Sequence, residues 1–300
     1  MGSSGFMLTR WETERSVHEM ATREGAGPAT GRVRRYAGYD ERAQAQTRRE
    51  VAKTGISLVL AFGDPLAVAY DASETQLLGG AFVLGHQVRA ALTTFSGHQH
   101  GVQVDLTPAG ARGFLGVAVD ELTDRATPLE EVLGRRGEEL VERLASLRSW
   151  SARFHLLDQV VGAPHEGGLE LAPEVCWLWR QLVDRHGNCR IGQLMDETGR
   201  SRRYVTARFS QQIGVSPKTY ARLLRFERAV HLLRRRSRSD PTSLAAVALA
   251  AGYYDQPHFN RDFRSFAGCT PADLLVENDP APEVSFVQDL RCPPAVPLPT

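Results

Sequence analysis

The sequence predicts a two-domain α+β protein, with a β-rich N-terminal half that ends in helices and an all-helical C-terminal third. Short apolar runs bounded by Gly or Pro dominate residues 31–115, which is typical of strands. Apolar residues then recur at three- and four-residue spacing, which is typical of helices. In the last third of the chain, a motif is repeated at an offset of 54 residues. A chain of 300 residues accommodates two domains of ordinary size.

The β-rich part is predicted to be a sandwich or a small barrel, because several short strands alternate with turn residues. Its apolar runs lie at 56–62, 66–70, 81–84 and 101–106. Residues 1–30 are polar and poorly patterned, as in a frayed helix. We therefore expect a sensor or dimerisation domain over residues 31–165.

Helices at 108–115 and 128–160 are expected to close this domain. The stretch 162–168 contains Gly and Pro, breaks the helical pattern and is the expected linker. Helical patterning then fills residues 170–276, the expected second domain. Residues 277–300 contain six prolines and are expected to form a disordered tail.

The charge is distributed unevenly between the two parts. Residues 190–275 hold 15 Lys and Arg against 7 Asp and Glu, a formal charge of +8, whereas the whole chain carries only +1. A basic module joined to an acidic one suggests that only the C-terminal part meets a polyanion. A helical domain with solvated arginines would give the same count.

Other composition features point to a cytoplasmic protein. The four cysteines lack zinc-type spacing and are expected to be reduced thiols. Neither a signal-peptide pattern nor an apolar run of membrane-spanning length is present, so no membrane partner is expected.

The repeat consists of Phe, four residues, Gly, one residue, Ser or Thr, and then Pro. It comprises Phe209, Gly214, Ser216 and Pro217 in one copy and Phe263, Gly268, Thr270 and Pro271 in the other. In each copy the Gly is placed to end a helix in the left-handed conformation. The Ser-Pro or Thr-Pro pair is an N-cap followed by a proline at the first helical position, so a new helix begins there.

Each repeat also contains the start of the helix that the Gly ends. Ser201 and Asp255 are expected N-caps. Val205 with Phe209, and Phe259 with Phe263, are one helical turn apart and define a buried stripe. Short helices at 191–197 and 244–251 precede the two turns.

Helix, tight turn and helix is the helix-turn-helix layout, in which the second helix enters the major groove of DNA. A continuous helical pattern over residues 217–236 connects the two units. At ~1.5 Å per residue this helix is ~30 Å long, close to the ~34 Å repeat of the major groove. The alternative is an ordinary helical bundle that contains a duplication.

Residues 191–275 closely resemble the C-terminal domain of AraC/XylS-family transcription regulators. The resemblance rests on Gly252, Asp255, Gln256, His258, Phe259, Arg261 and Phe263, followed by Gly268, Thr270 and Pro271. It implies a bacterial protein that binds duplex DNA sequence-specifically. The N-terminal half resembles the sensor halves of the family in outline, which implies a cupin-like barrel, a small-molecule effector or a homodimer. RNA polymerase is the implied partner if the protein activates transcription.

The resemblance also implies DNA contacts. Base contacts are implied for Arg203, Thr206, Gln256, Asn260 and Arg261, whose side chains suit guanine or adenine edges. Phosphate contacts are implied for Arg202, Lys218, Arg222 and Arg264. Two departures matter: Ala207 stands where the family often has arginine, and Pro257 stands where a polar residue is common.

Neither a catalytic motif nor a cofactor fingerprint is present, so we expect neither an enzyme nor a cofactor. His98 and His100 are the candidate metal ligands, but the surrounding glycines favour an exposed turn, and we expect no metal there. Three hypotheses follow: a ligand-responsive regulator, a metal-dependent cupin enzyme fused to a DNA-binding module, and a regulator whose N-terminal domain only dimerises.

Overall fold

Two units, each with its own hydrophobic clusters, make up the structure. It is a computed structural model, and it describes residues 5–12, 16–71, 74–163, 170–235 and 243–277. Unit 1 comprises residues 1–49, 55–85 and 91–170, and unit 2 comprises residues 50–54, 86–90 and 171–300.

A single sheet of nine described strands forms the body of unit 1. The strands are β1 (Met7–Glu12), β2 (Ser16–Arg23), β3 (Val33–Glu50), β4 (Ile56–Ala61), β5 (Leu66–Asp71), β6 (Glu74–Leu78), β7 (Ala81–Leu84), β8 (Ala91–Leu106) and β9 (Ala126–Pro128). Their order is β1-β2-β3-β8-β4-β7-β9, and β5 pairs with both β8 and β6. The sheet is antiparallel and curls into a nearly closed barrel.

The barrel core follows from the two-residue period of its strands. In β8, Val102, Val104 and Leu106 are fully buried and lie on one face. In β4, the partners of these residues are Leu60, Leu58 and Ile56, which are also fully buried. These residues belong to the main hydrophobic cluster of unit 1.

Helices close unit 1 after the last long strand. They are α1 (Pro108–Leu115), α2 (Leu129–Leu133), α3 (Arg135–Ser146) and α4 (Trp150–Gly162). The Thr107 side chain caps α1 by accepting a hydrogen bond from the Gly110 backbone N–H at 3.0 Å. In α4, Phe154, Leu157 and Val161 are fully buried and belong to the same cluster as the barrel core.

The structure confirms the β-rich unit with trailing helices and corrects three local predictions. The region expected to fray as a helix instead holds β1 and β2. Four of the six β1 residues are exposed and none is buried, so the strand lacks the apolar alternation that would reveal it. The helical pattern over 128–160 is divided into three helices, with Gly134 at a positive φ of 55° between α2 and α3. His98 and His100 lie in β8 and not in a turn.

The described part of unit 2 contains seven helices. They are α5 (Pro173–Asp184), α6 (Ile191–Glu197), α7 (Arg202–Ile213), α8 (Pro217–Arg234), α9 (Leu244–Ala250), α10 (Gln256–Ala267) and α11 (Pro271–Glu277). The predicted linking helix is therefore two residues shorter than expected, and its 18 residues span ~27 Å.

Helix α8 contributes to both hydrophobic cores of unit 2. Tyr220 and Leu224 pack with α5, α6 and α7 in one core. Leu223, Phe226 and Val230 pack with α9, α10 and α11 in the other. Because opposite sides of one helix are buried in two cores, the two halves of unit 2 share a rigid element.

Two predictions fall outside the described residues: most of the expected linker, at 164–168, and the proline-rich tail from residue 278 onward. Among the described residues, no helix is long and apolar enough to cross a membrane.

Candidate nucleic-acid interface

Two helix-turn-helix units are present in unit 2. The first comprises α6 and α7, and the turn between them contains Gly199 at a φ of +69°. The second comprises α9 and α10, and its turn contains Gly252 at a φ of +90°. A Cβ at Gly252 would also lie 3.1 Å from the Cβ of Asn188, so both space and backbone conformation favour Gly there.

The second helix of each unit begins at the predicted cap. The Ser201 hydroxyl accepts a hydrogen bond from the Tyr204 backbone N–H at 3.3 Å. The Asp255 carboxylate accepts one from the His258 backbone N–H at 2.7 Å. Both helices end as predicted, at Gly214 and Gly268 in the left-handed conformation. The two α7 and α10 N-termini are thus fixed by local hydrogen bonds.

The second helix of each unit, α7 or α10, buries one stripe and exposes the opposite face. Val205, Phe209, Phe259 and Phe263 are fully buried, which confirms the predicted stripe. The side chains implied for base contacts lie at the surface. Arg203, Gln256 and Arg261 are exposed, and Thr206 and Asn260 are partly exposed. No residue with an implied base contact is in a core.

The residues implied for phosphate contacts fall into two groups. Lys218, in the first turn of α8, and Arg264, on α10, are exposed. Arg202 instead donates two hydrogen bonds to Asp196 of α6, at 2.8 and 2.6 Å. These hydrogen bonds lower the pKa of the Asp196 carboxyl. The Arg202–Asp196 pair connects α7 to α6, the two helices of the first helix-turn-helix unit.

Arg222 of α8 is also paired, with a carboxylate on α10 of the second helix-turn-helix unit. Its Nε and Nη2 donate to the same Asp262 oxygen at 3.1 and 2.7 Å, and its guanidinium lies 4.8 Å from the centre of the Phe266 ring. Asp262 is buried, so the pair joins α8 to α10 from inside the fold. Burial, and after it the Asp262 charge, raise the pKa of the nearby Tyr253 phenol.

Several interactions that position these helices could not be predicted from the sequence pattern. Helix α5 is connected to α8 by the Trp179 indole N–H, which donates to the Tyr220 hydroxyl at 2.7 Å. The sequence prediction included neither of the carboxylates, Asp196 and Asp262, that pair with Arg202 and Arg222. The Asp196–Arg202 pair could have been predicted, because these two residues of opposite charge flank the predicted turn. The second pair is separated by 40 residues and needs the tertiary fold.

His98 and His100 lie elsewhere, in unit 1. The Nε2 of His98 lies 2.8 Å from a carboxylate oxygen of Asp40 on β3. The Nε2 of His100 lies 2.9 Å from Nη1 of Arg153 on α4. Burial, followed by the Arg153 charge, lowers the pKa of His100. The histidine pair therefore has a carboxylate neighbour that the sequence spacing did not reveal.

Together, the two capped helices, their exposed polar faces and the shared helix α8 define a DNA-binding domain with two helix-turn-helix units. The family comparison agrees: residues 194–276 match the family model described as "Helix-turn-helix domain". This domain is of the AraC type, and the chain is a DNA-binding transcription regulator. No curated protein matches the sequence.

Three solved structures are similar to this chain at low sequence identity. ToxT from Vibrio cholerae is 10% identical with a TM-score of 0.43, and the match covers 78% of this chain and 98% of that one. ToxT from Vibrio cholerae O395 is 11% identical with a TM-score of 0.45, covering 81% and 96%. The AraC-like transcriptional activator CuxR is 10% identical with a TM-score of 0.30, covering 69% and 78%.

Proposed function

We propose that this regulator reads two adjacent major-groove segments of one operator, with α7 in one groove and α10 in the next. The observation that carries the proposal is that α8 is buried in the cores of both helix-turn-helix units. A rigid connection of ~27 Å approaches the ~34 Å groove repeat, and modest DNA bending would make up the difference.

Base readout is assigned to the exposed side chains of the two helices. Arg203 and Thr206 act from α7, and Gln256, Asn260 and Arg261 act from α10. Arginine pairs with guanine, and asparagine or glutamine pairs with adenine, through two hydrogen bonds each. Lys218 and Arg264 hold phosphates. Arg202 and Arg222 can do so only while sharing their guanidinium groups with Asp196 and Asp262, so we assign them mainly to positioning.

The spacing of the two DNA sub-sites tests the two-groove proposal. An operator is first selected from random duplexes with the purified full chain. Inserting about 5 base pairs between the two sub-sites of the selected operator turns them to opposite faces of the duplex. Affinity should then fall to that of an operator in which one sub-site has been scrambled, because α8 cannot follow the rotation. Unchanged affinity after the insertion would exclude a rigid two-groove reader.

A contrast between Lys218→Ala and Arg261→Ala tests the assignment of contacts. Lys218→Ala removes a proposed phosphate contact, so it should weaken binding to selected and random duplexes equally and reduce the salt slope of binding by about 1. Arg261→Ala removes a proposed base contact, so it should weaken binding to the selected duplex alone and reduce the preference at one base position. Binding titrations at several salt concentrations measure both. If the two variants changed selected and random duplexes in the same way, the assignment would be wrong.

We extend the proposal to control through unit 1, either by a small-molecule effector or by a second copy of the chain. Two features support it. A cleft of about 370 Å³ is lined by Trp11, His18 and Asp40 among others. Strand β1 lies at the edge of the sheet, and Met7 and Leu8 on it are 67% and 44% exposed. Exposed apolar side chains on an edge strand favour pairing with another strand.

Sizing of the full chain over a range of concentrations distinguishes the two forms of control. A constant monomer mass would leave the effector as the proposed control. We also propose that the protein acts by binding DNA and not by catalysis. If it activates transcription, RNA polymerase is the proposed partner.

A further inference from the structure

We infer that the barrel of unit 1 contains a binding site for a divalent first-row transition metal, formed by Asp40, His98 and His100. One ligand atom from each residue can be chosen such that all three lie within 4.8 Å of one another. This inference concerns unit 1 alone and does not depend on how unit 2 reads DNA.

The strand register explains why these three side chains meet. His98 and His100 are two residues apart on β8, so they lie on the same face as the buried residues Val102 and Val104. Their rings are stacked, with centroids 5.6 Å apart and an angle of 12° between planes. Asp40 lies on β3, the neighbour of β8 in the sheet. The ligand set therefore stands on two adjacent strands and not on a loop.

The distances need only small adjustments to hold a metal. Metal bonds to imidazole nitrogen and carboxylate oxygen are about 2.0–2.2 Å long, which places neighbouring ligand atoms roughly 3 Å apart. The Nε2 of His98 and Oδ1 of Asp40 are already 2.8 Å apart. The remaining separations, of at most 4.8 Å, must shorten by roughly 2 Å for all three atoms to bind one ion.

The ligand types select the class of metal. Two imidazoles and one carboxylate suit Fe²⁺, Zn²⁺ and their first-row neighbours, whereas Ca²⁺ and Mg²⁺ prefer oxygen ligands alone. Three protein ligands leave coordination positions for water or another ligand. Asp40 also lines the cleft of unit 1, and its side chain is 37% exposed, so a cation can enter from that side.

Arg153 opposes the metal and makes the inference specific. Its Nη1 donates a hydrogen bond to Nε2 of His100 at 2.9 Å, which occupies the lone pair that a metal bound at this nitrogen would need. The side chain is buried, and its Nε donates to the Leu144 carbonyl at 3.1 Å. The metal and the guanidinium thus compete for one ring nitrogen, and their charges repel. We expect binding to be limited by Arg153.

Equilibrium dialysis of the full chain without an affinity tag, stripped with a chelator and then titrated with Zn²⁺ or Co²⁺ at fixed pH, tests the site. We expect one equivalent to bind through these ligands. His98→Gln and Asp40→Asn should each weaken that binding at least about tenfold. His155→Gln is the matched control, because His155 is an exposed histidine on α4 and should leave binding unchanged. The Co²⁺ complex should show no thiolate charge-transfer band.

Arg153→Met is the decisive variant. Removing a positive charge close to a divalent cation, together with the competing hydrogen bond, should tighten binding about tenfold or more. Arg153→Lys keeps the charge and should not tighten it. Circular dichroism confirms that each variant is folded. The inference is overturned if no equivalent binds to the folded wild-type and Arg153→Met chains, or if binding is the same in His98→Gln and His155→Gln.

Discussion

Phe263→Ala is expected to lower the free energy of unfolding of unit 2 by about 3–5 kcal/mol. The Phe263 side chain is fully buried, with its ring centre 5.2 Å from that of Phe226 and 5.3 Å from that of Phe259. Truncation removes a ring from this aromatic cluster and leaves a cavity that the surrounding helices fill only in part. A loss of this size is a large part of the ~5–15 kcal/mol that stabilises a typical domain.

Chemical denaturation followed by helical circular dichroism measures this effect. Leu249→Ala is the matched control, because Leu249 is an apolar residue of the same half of unit 2 but is 73% exposed. Its stability should change by less than about 0.5 kcal/mol. Phe263→Leu should fall between the two, since it keeps part of the buried volume. Equal stabilities of the Phe263→Ala and Leu249→Ala chains would contradict the described core.

The double variant Arg203→Ala/Arg261→Ala is expected to show the largest loss of operator affinity. Each arginine is exposed on a different reading helix. Each single change should cost about 1–3 kcal/mol, or about 5- to 150-fold in affinity. The two costs should add within about 0.5 kcal/mol, because the residues belong to separate helix-turn-helix units and their proposed contacts are with separate base pairs.

Titration of the selected operator with the wild-type, single and double variants measures this additivity. Arg185→Ala is the matched control, because it removes the same charge at the C-cap of α5, where the arginine is exposed and hydrogen-bonded to Gln181. It should change affinity far less than either reading-helix variant. If one single variant already produced the full loss of the double variant, the two helices would not read independently.

The C-terminal unit was predictable from sequence to the level of single caps. Ser201, Asp255, Gly214 and Gly268 act through hydrogen bonds and backbone conformations within a few residues, so their roles can be read locally. The buried stripes follow from helical periodicity in the same way. Both ends of α6 were predicted at the residues where the structure places them, as were both ends of α1 in unit 1.

Pairings between distant residues could not be predicted. Arg222 and Asp262 are separated by 40 residues, and Asp40 and His98 by 58, so neither pair has a local pattern. The implied phosphate contact of Arg222 illustrates the consequence. From the sequence alone the arginine seems available to bind phosphate, whereas the fold pairs it with the Asp262 carboxylate. The N-terminal strands were missed for another reason, because β1 is an edge strand with little apolar alternation.

The burial of α8 in two cores has a consequence for how unit 2 opens. Amide protons in the middle of α8 can exchange with solvent only when both cores have loosened, so their exchange should report the stability of the whole unit. Amides of α6 and α9 each depend on one core and should exchange sooner. A substitution that weakens only the core containing α10 would therefore speed amide exchange along α8, including at residues such as Tyr220 and Leu224 that pack in the core with α7.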